Sequence, residues 1–267
     1  EGALDIPGVI KSIRAETRVV FLQRSRGYAL RSAVLPRDMA PLIQAVKQIR
    51  PDIYIMVDNC YGAFVSEDEP SFYGADAVAG SLIKNLGGGL APTGGYIAGS
   101  QEAIDRIAAR LTAPGLGREV GSYEGSYRPF YQGLFMAPHT VCQALMVAAF
   151  TARMAELVGL KVSPAFDAPR GDIIQALILD EPARVIAYCR GLQSGSPVDS
   201  HLFPEPWDMP GYEDQVIMAA GAFVQGASIE LSCDAPMRPP YALYQQGGLT
   251  WASGRRAVIR AFAALGA

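Results

Sequence analysis

The sequence predicts an α/β protein. A mostly parallel central sheet flanked by helices is expected over residues 1–158, followed by a smaller α+β domain over 159–267. Three observations carry this. Short apolar, β-branched runs alternate with helical periodicity through the first half. Those runs read apolar on both faces, as strands do when helices cover a sheet on each side. After Lys161 the alternation gives way to shorter, mixed elements.

The elements follow in order. "RVVFLQ" (18–23) reads as a buried strand. "PRDMAPLIQAVKQIR" places Leu42, Ile43, Val46 and Ile49 at helical spacing. "DIYIMVDN" (52–59) is the next strand, "ADAVAGSL" a third and "GGYIAGS" a fourth. "QEAIDRIAARL" is a helix with Ile104, Ile107, Ala108 and Leu111 on one face. Residues 112–133, rich in Gly, Pro and Tyr, predict an ordered loop. "HTVCQALMVAAFTARMAELVGL" then reads as one long, nearly all-apolar helix, buried or crossing a subunit contact. "DIIQALIL" is a strand, and "EPARVIAYCRGLQ" is a helix with Pro182 in its first turn. "QVIMAAGAFVQGASIELSCD" predicts two strands joined by a glycine turn, and "GRRAVIRAFAAL" a terminal helix.

Half of the 267 residues are hydrophobic, enough for a sizeable core. Only 18% are charged, which points to limited exposed surface or to surface used in subunit contacts. A net charge of −3 argues against nucleic acid and anionic membranes as partners. The cysteines, Cys60, Cys142, Cys189 and Cys233, and the histidines, His139 and His201, are scattered. That spacing argues against a zinc site and fits reduced thiols in a cytoplasmic protein. No run of membrane-spanning length free of charge or glycine is expected, nor a signal peptide. "EGALDIPGV" lacks an initiator methionine and opens in mid-pattern, so a fragment or processed chain is expected.

The chemistry centres on "VDNCYGAFVSEDEPSFYGADAVAGSLIKNLGGG" (57–89). Asp58 ends a predicted strand, at the edge where open α/β sheets bind ligands. Lys84 follows the next strand by a few residues and is expected over the same edge. Of the four lysines, Lys11, Lys47 and Lys161 fall on surface-like helices or turns; Lys84 alone lies at an apolar-to-glycine junction. A partly dehydrated amine there has its pKa lowered, and a neutral amine forms a Schiff base with an aldehyde. The aldehyde most often carried by protein lysines is pyridoxal phosphate, which needs a carboxylate against its ring nitrogen. Asp58 is placed for that task. Ser81 and the N–H groups of the glycine turn offer donors to a phosphate.

Plainer readings exist for each residue. Lys84 can be a turn lysine, Asp58 a cap and Ser81 a turn hydroxyl; their occurrence together favours the chemistry. "NLGGGLAPTGG" lacks the order of a nucleotide-binding P-loop, and its glycines can serve tight turning alone. Cys60 has no histidine nearby in sequence and reads as a small buried thiol. His139 reads as a structural or capping residue and His201 as an exposed loop residue. Tyr123, Tyr127 and Tyr131 read as packing groups, with a cofactor contact from one of them as the other option.

The pattern Asp-Asn, Gly-Ala-Asp and Ser-x-x-Lys followed by glycines resembles the cystathionine and methionine lyase group of the aspartate-aminotransferase superfamily. "VFLQRSRGY", "APGLGREVGSY", "YQGLFMAPHTV" and "IELSCDAPMRPPYALYQQGGLTW" are similar to its methionine gamma-lyase-like, or aluminium-resistance, subgroup. The resemblance spans nearly the whole chain. It implies the pyridoxal-phosphate-dependent transferase fold, incomplete at the N-terminus, because only 57 residues precede Asp58 and none reads as the family's phosphate-binding turn. It implies Lys84 as the Schiff-base lysine and general base, Asp58 as the partner of the ring nitrogen, and Ser81 as a phosphate contact. It also implies Arg238 as a candidate for the substrate α-carboxylate, with Arg255 and Arg256 close by in sequence. The implied activity is a carbon–sulfur lyase on a sulfur amino acid, in a homodimer or homotetramer. An aminotransferase or other amino-acid enzyme on the same fold, and a non-catalytic scaffold chain, are the alternatives.

Overall fold

Leu22, Val57 and Val78 anchor the first layer of the computed structural model, which describes residues 3–266. Helix α1 (Ile6–Ser12) is capped by Asp5, whose Oδ1 accepts from the Gly8 N–H at 3.0 Å. Strand β1 (Val19–Gln23) leads to α2 (Pro36–Ile49), which starts on proline and buries Met39, Leu42, Ile43 and Val46. Strands β2 (Tyr54–Asp58), β3 (Ala77–Ser81) and β4 (Gly95–Gly99) complete a sheet in sequential order. The first three strands run parallel and β4 is antiparallel, so the sheet is mixed. Register sets Gln23 beside Asp58, Asp58 beside Ala79, and Ser81 beside Gly95.

Only one face of this sheet is sealed, by α2 and α1. The alternate residues Val19, Phe21 and Ile97 remain 50%, 57% and 41% exposed, which corrects the expectation of strands buried on both faces. Lys47 is likewise no mere surface lysine. Its Nζ lies 2.8 Å from Asp76, which also accepts from the Ile55 N–H, so the Asp of the Gly-Ala-Asp motif joins α2, β2 and the start of β3.

Ser100 caps α3 (Gln101–Ala108). Helix α4 then runs Arg128–Leu157, so the predicted loop gives up its last residues to a helix opened by Pro129. His139 therefore lies inside this helix, exposed, and caps nothing. The stretch 134–152 holds neither charge nor glycine, and by length and composition α4 is apolar enough to cross a membrane, contrary to expectation. Its composition answers to packing within the fold. Ala137, Val141, Ala144, Ala148, Thr151 and Ala155 form a buried stripe facing the second sheet, the last helix α6 (Trp251–Ala264) and the turn after Lys84.

The second sheet is wholly antiparallel, ordered β5 (Lys161–Ser163), β6 (Gln175–Ile178), β9 (Ala242–Gln246), β8 (Ser232–Pro236), β7 (Val216–Ala219). Helix α5 (Pro182–Ser194) precedes β7 (Val216–Ala219), β8 (Ser232–Pro236) and β9 (Ala242–Gln246), and α6 (Trp251–Ala264) closes the chain. β7 and β8 pair, but a 3-10 turn at Ser228–Glu230 lies between them where a glycine turn was expected. β5 and β9 are additions to the predicted set. β9 ends in Gln245 and Gln246, which read as loop residues yet are buried; Gln245 Oε1 accepts from Tyr188 at 2.6 Å and its Nε2 donates to Thr151 at 2.8 Å.

The glycines after Lys84 let two backbones touch. A Cβ on Gly133 of α4 would stand 2.2 Å from the Gly87 carbonyl, and one on Gly88, whose φ is +59°, 2.3 Å from the Gly133 carbonyl. Gly133→Ala is therefore expected to lower stability by about 1–3 kcal/mol, as overpacking does, read from urea unfolding. An unchanged midpoint would contradict this close approach.

Candidate active site

The carboxyl edge of β2 and β3 brings three of the predicted residues together. Asp58 ends β2, Ser81 ends β3 in the next strand, and Lys84 follows one turn later. Cys60, read from sequence as a bystander, links them. Its N–H donates to Asp58 Oδ1 at 2.9 Å, and its sulfur accepts from the Ser81 N–H at 3.4 Å. Burial pushes the Cys60 thiol up, against the pull of the Lys84 charge. Ser81 Oγ accepts from the Ile83 N–H at 3.3 Å, leaving its own proton free to donate to an anion.

Asp58 looks onto the unsealed face of the first sheet. It lines a cavity of about 1100 Å³ with Met56, Gly80, Tyr96 and Phe130. Tyr123 packs edge-on against both Tyr127 and Phe130 at the cavity's wall, which Tyr131, 71% exposed, also lines.

Lys84 Nζ stands 4.2 Å from the centroid of the Tyr61 ring. Burial pulls its pKa down, as expected from sequence, but Tyr61, Cys60 and Asp58 together outweigh that pull and raise it. The expected lowering is thus corrected: the free lysine is held as an ammonium, because its half-buried pocket is lined by groups that favour positive charge. Tyr61 is the partner missed in the sequence. Its φ of +64° is unusual for a bulky residue and aims the ring beneath the amine, while its hydroxyl meets Ser228 Oγ at 3.2 Å. The available signal was its place three residues after Asp58.

The loop bearing these residues is held by Arg24, which is wholly buried. Its guanidinium donates to Asn59 Oδ1 at 2.7 Å, the Gly62 carbonyl at 2.9 Å, Ser66 Oγ at 3.0 Å and Glu69 Oε2 at 3.3 Å.

Arg238 is not joined to this group. It lies between β8 and β9, half exposed, and its Nη1 donates to Asp214 at 3.0 Å; its charge acts on Tyr244. Arg255 and Arg256 are exposed on α6. Asp234 on the second sheet has no part in the sequence expectations. Its burial raises its carboxyl to about 6, against opposing pulls from Gln246, Tyr28 and Lys84.

That shift has a stability consequence. The folded state binds the Asp234 proton more tightly than the unfolded state does, so its contribution is full below about pH 4 and is lost as pH rises toward 6. Asp234→Asn should remove this fall, worth between about 1 and 3 kcal/mol given the solvent that still reaches the group. Denaturant midpoints at pH 4 and pH 7 test it; equal slopes with pH in both proteins would refute it.

A profile of the family described as methionine gamma-lyase matches residues 1–266. The chain belongs to the methionine gamma-lyase family. Among solved structures, a Listeria monocytogenes protein named provisionally as a cystathionine beta-lyase involved in aluminum resistance shares 48% identity at a TM-score of 0.95, covering 98% of this chain and 65% of that one. A carbon-sulfur lyase involved in aluminum resistance from Clostridium novyi NT shares 48% identity at a TM-score of 0.91, covering 98% of this chain and 60% of that one. The uncharacterized protein YnbB of Bacillus subtilis is 49% identical over 261 residues. This member of the family spans 62% of the length of YnbB. At 15% identity and a TM-score of 0.57, the pyridoxal-5'-phosphate-dependent protein YhfS of Escherichia coli shares the α/β fold.

Proposed function

We propose that this methionine gamma-lyase family chain carries the lysine site of a pyridoxal-phosphate-dependent carbon–sulfur lyase acting on a sulfur-containing amino acid. The observation that carries the reading is the juxtaposition of Asp58 and Lys84 across Cys60 at one sheet edge. The donor set fits the cofactor: an amine for its aldehyde, a carboxylate for its ring nitrogen and a hydroxyl for its phosphate. Lys84, Asp58 and Ser81 would hold it. When bound, the group withdraws electrons from the substrate α-carbon, which weakens bonds to that carbon.

The chain's own residues would manage protons around it. Lys84 Nζ, once free and neutral, takes the α-proton of the amino acid as general base. Its raised proton affinity strengthens it as that base, and the ammonium so formed carries the proton that the departing thiolate, leaving from the β or γ carbon, then takes up. The Tyr61 hydroxyl, tied to Ser228, fixes the direction from which the amine acts. Arg238 is proposed for the substrate carboxylate only if it leaves Asp214.

Two further parts of this reading have support in the fold. Two sheets with separate cores accord with a division near residue 158. Phe135 and Tyr131, 82% and 71% exposed on α4, offer apolar surface for self-association.

The test is incubation with pyridoxal phosphate and cysteine, cystathionine or methionine. Release of a free thiol together with an α-keto acid is expected for the lyases. Keto acid without thiol would replace the lyase with an aminotransferase, and no turnover with no cofactor capture would leave a scaffold chain.

A further inference from the structure

Residues 223–230 fold into a strap between β7 and β8 that reaches the seat of the lysine. Glu230 is 5% exposed, and its carboxylate turns back along the chain. Oε2 accepts from the Phe223 N–H at 2.8 Å and Oε1 from the Val224 N–H at 3.0 Å. Between these ends the Ala227 N–H donates to the Val224 carbonyl and the Glu230 N–H to the Ala227 carbonyl, each at 3.0 Å. Phe223 is 69% exposed, so apolar burial does not fix this end of the strap; the carboxylate does. The segment after β9 backs the strap: the Gly248 N–H donates to the Ile229 carbonyl at 2.8 Å, and a Cβ on Gly247 would run into the Ser228 carbonyl. Toward the first sheet, Ser228 Oγ lies 3.2 Å from the Tyr61 hydroxyl, and Ile229 belongs to the cluster on which Tyr61 packs. A Cβ on Gly226 would stand 3.5 Å from Cδ1 of Ile83, the residue before Lys84.

Two costs mark this strap. Leu231, directly after Glu230, holds a φ of +114°, a strained value for a branched side chain. Glu230 also encloses a carboxylate that, among the described residues, no cation meets at ion-pair distance. Such costs persist where the geometry they fix is used. We propose that Glu230 is a positioning residue for Lys84: its carboxylate shapes the strap so that the Ser228 hydroxyl holds the Tyr61 ring beneath the amine, 4.2 Å from the ring centroid. The second sheet thereby sets where the lysine points. This deepens the reading above and rests on Lys84 being its functional amine.

The 267-residue chain carries only four lysines, so their amines can be followed one by one by NMR after reductive 13C-methylation, with Lys84→Arg giving the assignment. An aromatic ring shields nuclei above its face. In the cofactor-free chain the Lys84 methyls should therefore resonate upfield of those of Lys11 and Lys161. Ser228→Ala, which frees the Tyr61 hydroxyl, should lose at least half of that displacement. Glu230→Ala should do the same from a residue whose carboxylate accepts from the strap. The methyls of Lys47, 6.0 Å from the centroid of the Tyr54 ring, report on a separate ring and should stay in place. A strap that only stabilises its own sheet would leave Lys84 unmoved. Glu230→Gln keeps the side-chain length and one acceptor; it should move the Lys84 methyls part-way, and it decides the matter should Glu230→Ala not fold. Unmoved Lys84 methyls in folded Ser228→Ala, Glu230→Ala or Glu230→Gln would overturn the proposal. Borohydride trapping of pyridoxal phosphate by the unmethylated chain tests the functional reading separately: displaced methyls without capture keep this inference and remove that reading, and capture with unmoved methyls does the reverse.

Discussion

Lys84→Ala should abolish both the proposed covalent capture of pyridoxal phosphate and the proposed carbon–sulfur lyase activity. The amine stands over Tyr61 beside the Asp58 edge, with its charge supported by Tyr61, Cys60 and Asp58. Loss of its proton transfer alone is worth about 10²–10⁴-fold in rate, and loss of the covalent bond removes the rest. Lys84→Arg separates the two properties of the residue. It keeps a cation over Tyr61, yet a guanidinium neither gives up its proton nor attacks an aldehyde at neutral pH. Both variants should fold, and neither should yield the mass of a reduced adduct after treatment with borohydride. An undiminished adduct in Lys84→Ala, carried by Lys11, Lys47 or Lys161, would remove Lys84 from the site.

Arg24→Met should cost about 3–5 kcal/mol, a large part of the stability of an ordinary domain. Arg24 is wholly buried, and burial depresses its pKa despite Glu69 and Asp172, so its charge is tolerated only because four groups accept from it. Three of those groups, Asn59, Gly62 and Ser66, lie in the loop that follows Asp58. Without the guanidinium, Glu69 is left facing Asn59 and the Phe64 N–H with an unbalanced charge. Lys84 should then lose its setting, since Cys60 and Tyr61 belong to the same loop. Urea unfolding measures the cost, and Arg24→Met combined with Glu69→Gln should recover part of it. A change below about 1 kcal/mol would show the network to be dispensable.

Much of the fold was legible because its signals are local. β1 to β4 read as apolar runs, α2 as a periodic stripe and α5 by its opening proline, within a residue or two of their ends, whereas α6 starts three residues before the stretch that reads as a helix. The misses share a cause. β9 hides behind Gln245 and Gln246, whose polarity is satisfied by partners distant in sequence. The first turns of α4 hide in a Gly- and Tyr-rich stretch because their stability comes from Gly133 seating on Gly87 and Gly88. Lys84 was read as a neutral amine because its burial is visible from the surrounding sequence, whereas the acceptors that reverse the shift come from the end of the neighbouring strand.

What the sequence by itself determined is the order of Asp58, Ser81 and Lys84 along two strand ends and the glycines behind them, since strand spacing and chain connectivity carry that information. What only the tertiary structure decided is the chemistry among them. Cys60 became the link, Tyr61 the seat of the amine, and Arg238 a partner of Asp214. Electrostatic interaction depends on separation through space and on the polarizability of what lies between, and neither quantity is written in the spacing of residues along a chain.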